Sequence, residues 1–131
     1  MIRPRVLLAD DHSAFLERTA ALLEPQFEIV GTVADGAALV SEALRLRPDV
    51  IVVDITMPGL SGIDAAHRLR ELASTARIVF LTIHSEEQFV EACTAEGALG
   101  YVVKSHMKAH LIPAVHAALN GAPYVSPHVP K

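Results

Sequence analysis

Five short apolar runs punctuate the chain, at residues 6–9, 27–33, 50–53, 78–81 and 101–103. Three are almost wholly aliphatic, and a strand that is apolar at every position is buried on both faces, as in a parallel sheet with helices above and below. The second run mixes Glu28 and Thr32 with Phe27, Ile29 and Val30, a blend that predicts an edge strand. Between the runs, apolar residues return every three or four positions: Leu16, Ala20 and Leu23, then Leu39, Ala43 and Leu46, then Ile63, Ala66 and Leu69. Each set falls on one face of a helix.

The punctuation agrees. Pro25 and Pro48 stop helices, Ser85 and Gln88 have the spacing of a capping box, and Gly97 suits a helix C-terminus. A last helix is expected over residues 107–120, with Pro113 deleting one backbone bond inside it. Five alternations of strand and helix leave few topologies, and the simplest is an α/β fold built on a doubly wound open parallel sheet, with no internal linker. In such sheets ligands sit beyond the carboxyl ends of the strands.

Composition narrows the function without choosing it. A length of 131 residues fits one domain, and 51% hydrophobic against 20% charged residues describes a packed core and not a disordered tail. No apolar run reaches the roughly 20 residues of a membrane span and residues 1–5 lack a signal-peptide core, so a soluble cytoplasmic protein with no membrane partner is expected. A net charge of -4 opposes direct binding to nucleic acid. Cys93, the single cysteine, falls in a helical segment and reads as core filler.

The chemistry collects where the apolar runs stop. Asp10 and Asp11 follow the first, Asp54 the third, Thr82 the fourth and Lys104 the fifth. Carboxylates gathered on one rim repel each other, and no stability argument favours them there without a compensating cation. Hard oxygen ligands with no paired Cys or His favour Mg²⁺, with Mn²⁺ an alternative, over zinc. Mg²⁺ commonly shares its shell with phosphate oxygens, and phosphoryl transfer needs positioning and positive charge more than covalent help. Asp54 is the candidate nucleophile, Thr82 a hydroxyl donor to one phosphoryl oxygen, and Lys104 the neutralising ammonium.

Asp10-Asp11, the segment Asp54-Ile-Thr-Met-Pro-Gly, Thr82 and Tyr101-Val-Val-Lys104 together resemble the signature of two-component response-regulator receivers, over nearly the whole chain. That resemblance implies a flavodoxin-like, five-stranded sheet in the order 2-1-3-4-5, with five helices in three layers. It also implies Asp54 as phosphoacceptor, Asp11 and Asp54 as direct Mg²⁺ ligands with the Thr56 carbonyl, and Asp10 acting through a metal-bound water. Thr82 and Lys104 would contact the phosphoryl group, and Thr82 with Tyr101 would form the switch. The alternative for Tyr101 is a ring capping the sheet edge. A sensor histidine kinase or phosphotransfer protein would be the donor, and the receiver would catalyse its own phosphorylation and dephosphorylation without being a stand-alone enzyme.

Within the family, residues 7–12 (Leu-Leu-Ala-Asp-Asp-His), 81–84 (Leu-Thr-Ile-His) and the tail at 121–127 resemble the NarL/LuxR branch, which carries a C-terminal helix-turn-helix. Transcription control is the implied output, with DNA touched only through that absent module and a homodimer possible. The receiver is expected over residues 1–121, with 122–131 a tail or the start of a linker. The chain then reads as a piece of a longer regulator, a stand-alone receiver being the alternative.

Other signals are weaker. His106 and His110 sit four apart without a third ligand, which predicts a solvated helix face and not zinc. His12 and His84 border the acidic rim, and Thr56 and His84, two residues beyond Asp54 and Thr82, are candidates for setting the dephosphorylation rate. Phosphatases of the haloacid-dehalogenase pattern want a second aspartate where Thr56 stands, and a nucleotide carrier wants glycines and hydroxyls where Asp10 and Asp11 stand. A degenerate receiver used only for docking would not need all five rim positions.

Overall fold

In the computed structural model, which describes residues 2–126, the elements run β1 (Arg5–Ala9), α1 (Ser13–Leu23), β2 (Glu28–Val33), α2 (Gly36–Leu46), β3 (Val50–Val53), α3 (Gly62–Glu71), β4 (Arg77–Thr82), α4 (Glu87–Ala95), β5 (Gly100–Val103), α5 (Met107–Leu119) and β6 (Tyr124–Val125). A single 3-10 turn, Lys104–His106, joins β5 to α5. Every strand pair is parallel, in the order β2-β1-β3-β4-β5-β6.

The sheet therefore has six strands, where five were expected. Gly121 adopts φ +72 just after α5, a conformation that costs a residue with a Cβ, and the chain turns back along β5. There Tyr124 N–H donates to the Leu99 carbonyl at 2.9 Å and Ser126 N–H to the Tyr101 carbonyl at 2.8 Å. Part of the expected tail is thus sheet, β5 is no longer an edge, and Tyr101 cannot be a ring capping one. Residues 127–131 of that tail lie outside the described residues.

Strand alternation sends side chains to two cores. Leu7, Ile51, Val53, Phe80 and Tyr101 pack with α2, α3 and α4 through Leu39, Ala66, Leu69 and Cys93. Val6, Leu8, Val52, Leu81 and Val102 pack with α1 and α5 through Leu23, Leu111 and Val115. Each fully buried aliphatic side chain contributes about 1.5–3 kcal/mol relative to exposure, so the two layers, and not local propensity, hold the helices in place. The polar β2 is an edge, as its sequence predicts.

Three local expectations change. Phe27 precedes β2 and is fully buried under α1 and α5, so its apolarity serves the core and not the strand. Ser85 does not cap α4: the helix begins at Glu87, with Glu86 at the N-cap and no side-chain capping bond. His106 belongs to the 3-10 turn, and half-buried His110 pairs through Nδ1 with the Tyr124 hydroxyl at 2.8 Å, so the two do not form a solvated helix face. Pro113 is accommodated inside α5, on its exposed side.

Candidate functional site

The register of the central strands builds the site. Ala9 pairs with Val53 across β1 and β3, so the residues that follow, Asp10 and Asp54, leave the sheet side by side, with Asp54 N–H donating to the Ala9 carbonyl at 3.0 Å. The loop after Asp54 then folds back tightly. A Cβ on Gly62 would lie 1.9 Å from the Asp54 carbonyl oxygen, so only glycine lets α3 start there, its N–H donating to the Ile55 carbonyl at 2.7 Å.

Asp10 and Asp54 are each 5% exposed. Lys104, directly after β5, reaches between them, its Nζ 2.7 Å from Asp10 Oδ2 and 3.0 Å from Asp54 Oδ2. Burial by itself would lower the Lys104 pKa, but the bonds to Asp10 and Asp54 outweigh it and hold the ammonium above its ordinary value. The ring of Phe15 lies over the same ammonium at 4.5 Å. Oxygens of Asp10, Asp11 and Asp54 and a ring nitrogen of His12 fall within 4.8 Å of one another.

Two details say what this rim lacks. Asp10 is already engaged, through Oδ2 by Lys104 and through Oδ1 by the His12 backbone N–H at 2.9 Å. Asp54 Oδ1 is buried and has no hydrogen-bond partner. A buried carboxylate oxygen without a donor is costly, and next to the Asp11 carboxylate a hard divalent cation is the partner that would satisfy it. The donor set fits Mg²⁺.

The other expected residues form a second group beside the first. Thr82 is fully buried at the end of β4, and its Oγ1 accepts the His84 N–H at 3.3 Å. The Tyr101 side chain is buried and its hydroxyl donates to the His84 carbonyl at 2.7 Å, and burial first, then nearby negative charge, raises its pKa. The His84 ring lies 3.2 Å from Thr56 Oγ1 through Nε2 and stacks on Phe89 at 4.2 Å between centroids. His84 thus joins Thr82, Tyr101 and Thr56. Sequence reasoning placed it near the rim but missed this, since backbone bonding leaves no mark in residue type. It also missed the Asp10–Lys104 pair and the Phe15 contact.

A separate hollow at the opposite end, lined by Leu44, Arg47, Pro48, Leu72 and Ala73 among others, contains no carboxylate, histidine or cysteine.

A family profile for the response regulator receiver domain matches residues 6–116. The chain belongs to that family. Among curated relatives, the transcriptional regulatory protein LiaR of Bacillus subtilis strain 168 is 37% identical over 121 residues, covering 91% of this chain and 57% of that protein. The receiver spans little more than half the length of the curated relatives it matches. Among solved structures, a LuxR-family two-component response regulator from Aurantimonas sp. SI85-9A1 superposes with a TM-score of 0.92 at 34% identity, over 97% of this chain and 92% of that one. A chain of the CheX-CheY-BeF₃⁻-Mg²⁺ complex from Borrelia burgdorferi gives a TM-score of 0.84 at 28% identity, over 88% of this chain and 89% of that one. No helix among the described residues is long and apolar enough to cross a membrane.

Proposed function

We propose that this receiver takes a phosphoryl group onto Asp54 from a phosphohistidine of a sensor kinase or phosphotransfer protein and relays the change through Thr82 and Tyr101. The observation that carries this reading is the Asp54 carboxylate itself, buried with one oxygen on Lys104 and the other unbonded beside Asp11. Asp11, Asp54 and the Thr56 carbonyl would hold Mg²⁺ directly and Asp10 through a water, since Asp10 is already committed to Lys104 and His12. Mg²⁺ supplies a hard positive charge toward phosphoryl oxygens, and Mn²⁺ can replace it. In the transfer an Asp54 oxygen bonds to phosphorus as the bond from phosphorus to the imidazole nitrogen breaks. The electron pair leaves with the imidazole. Lys104 and the Thr82 hydroxyl face the charge on the equatorial oxygens.

The receiver performs this step on itself and is not a stand-alone enzyme. Its curated relatives are transcription regulators nearly twice its length, which supports a cytoplasmic regulator whose DNA contacts lie in a following module, with the receiver running past residue 121 to include β6 and dimerisation as a route to output. Incubation with acetyl phosphate and Mg²⁺ followed by intact-mass spectrometry tests the reading. One phosphoryl increment on the native chain and none on Asp54→Ala is the expected result; an increment that survives the substitution rejects it. Thr56 and His84, bonded to each other at the mouth, set the phosphate lifetime in this reading, and unchanged lifetimes on replacing each would remove them from that role.

A further inference from the structure

We infer that Phe15 is a positioning residue for Lys104, its ring holding the ammonium against the Asp10 and Asp54 carboxylates through a cation–π contact. The inference rests on the phosphoacceptor reading above. An ammonium has three N–H donors, and two are accounted for by Asp10 Oδ2 at 2.7 Å and Asp54 Oδ2 at 3.0 Å. The Phe15 ring stands 4.5 Å from the same nitrogen, inside the range where the negative face of an aromatic ring attracts a cation. The Lys104 side chain is only 9% exposed, and desolvation strengthens such a contact.

Both partners are fixed by the fold. Phe15 lies in the first turn of α1, where the Leu16 N–H already donates to the His12 carbonyl at 2.9 Å. One turn on, the buried Thr19 hydroxyl donates to the Phe15 carbonyl at 2.9 Å and touches Met107 Sδ at 3.3 Å. Met107 opens α5 three residues beyond Lys104, so one side chain ties the turn that carries the ring to the turn that carries the ammonium. Arg18 packs its guanidinium on the same ring at 5.1 Å, on the exposed surface of α1. When a phosphoryl group arrives, Lys104 must shift from carboxylate to phosphoryl oxygen. The ring lets it move without entering water, so its full charge meets the developing negative charge.

The test uses the full chain, with phenylalanine at position 15 replaced by analogues carrying one, two or three ring fluorines, which weaken the ring's negative face at nearly constant volume. Phosphorylation by acetyl phosphate with Mg²⁺ should slow stepwise with each fluorine. Phe15→Leu should be about three- to tenfold slower, Phe15→Trp should keep the native rate, and Arg18→Ala should not change it. In parallel, the Lys104 ε-methylene protons should show an upfield ring-current shift in NMR spectra that disappears in Phe15→Leu. A flat fluorine series, or Lys104 protons unmoved by Phe15→Leu, overturns the inference. If the native chain fails to accept phosphate at all, the phosphoacceptor reading falls instead, and the NMR shift still decides whether Phe15 holds the lysine.

Discussion

The two ends of the sheet solve opposite electrostatic problems. At the end where the helices finish, arginines meet orphan carbonyls: Arg5 donates to Leu46 and Arg47 at 2.6 and 3.0 Å, Arg77 to Leu119 at 2.9 Å, Arg70 to Ala95 at 3.2 Å, and Arg3 to Glu24. Cations placed on helix C-termini satisfy unpaired acceptors and oppose the helix dipole, so this end is arranged for stability. At the carboxyl end, Asp10 and Asp54 share one lysine beside the Asp11 carboxylate, and a buried oxygen of Asp54 goes unpaired. The difference teaches where to look for function: one end spends its charges on its own backbone, while the other keeps them for something that must arrive.

The contrast can be broken by substitution at either end, and the largest effect should come from the tight loop under the acidic rim. Gly62→Ala places a methyl group against the Asp54 carbonyl and should cost about 3 kcal/mol in urea denaturation, displacing Asp54 and lowering phosphoryl labelling as well. Next comes the cation. Mg²⁺ at a hundred times its dissociation constant should stabilise the native chain by roughly 2.7 kcal/mol, an increment that chelation removes. Asp11→Asn should melt slightly higher than native without Mg²⁺, because a repulsion is gone, and gain far less from it. Equal Mg²⁺ stabilisation of both proteins would sink the ion assignment.

At the opposite end, Arg5→Ala leaves two carbonyls of the α2 terminus without their donor and should lower stability by about 1–2 kcal/mol while leaving phosphorylation untouched. Altered labelling in that variant would mean that the two ends are not independent. Another effect is alkaline. Burial pushes the Cys93 thiol from 9.0 up to about 12, and Tyr101 and Lys104 are also raised. A group that holds its proton more tightly when folded stabilises below its unfolded pKa and loses that contribution as pH climbs toward the folded value. Unfolding free energy should therefore decline from near pH 9 upward, by less than about 1.4 kcal/mol per pH unit for any one group, and the melting temperature should fall with it. Cys93→Ala should delay the onset, as melts between pH 8 and 11 would show.

Much of the molecule was legible in the order of its residues, and the reasons are local. A wholly aliphatic run such as 50–53 admits few fates other than a strand covered on both faces, and Leu39, Ala43 and Leu46 repeat at a spacing only a helix turns into one stripe. The resemblance supplied the strand order of the first five. The residues at the strand ends were legible because polar groups stand out where apolar runs stop.

What sequence could not decide involves backbone groups and distances between segments far apart in the chain. Nothing in Tyr124 and Val125 announces a sixth strand; they become one because the Leu99 and Tyr101 carbonyls are exposed along β5 when the chain returns past Gly121. Ser85 has the composition of a cap, yet α4 starts after it, because His84 is held by Thr82, Tyr101, Thr56 and Phe89 and fixes where the loop can end. Lys104 was recognisable as a counter-charge, but its place between Asp10 and Asp54, under the ring of Phe15, exists only once α1, β3 and the turn after β5 converge. Residue types and their periods determined which groups reach the carboxyl rim. Packing decided which of them touch, since hydrogen bonds and ion pairs depend on separations of a few ångströms that no one-dimensional pattern records.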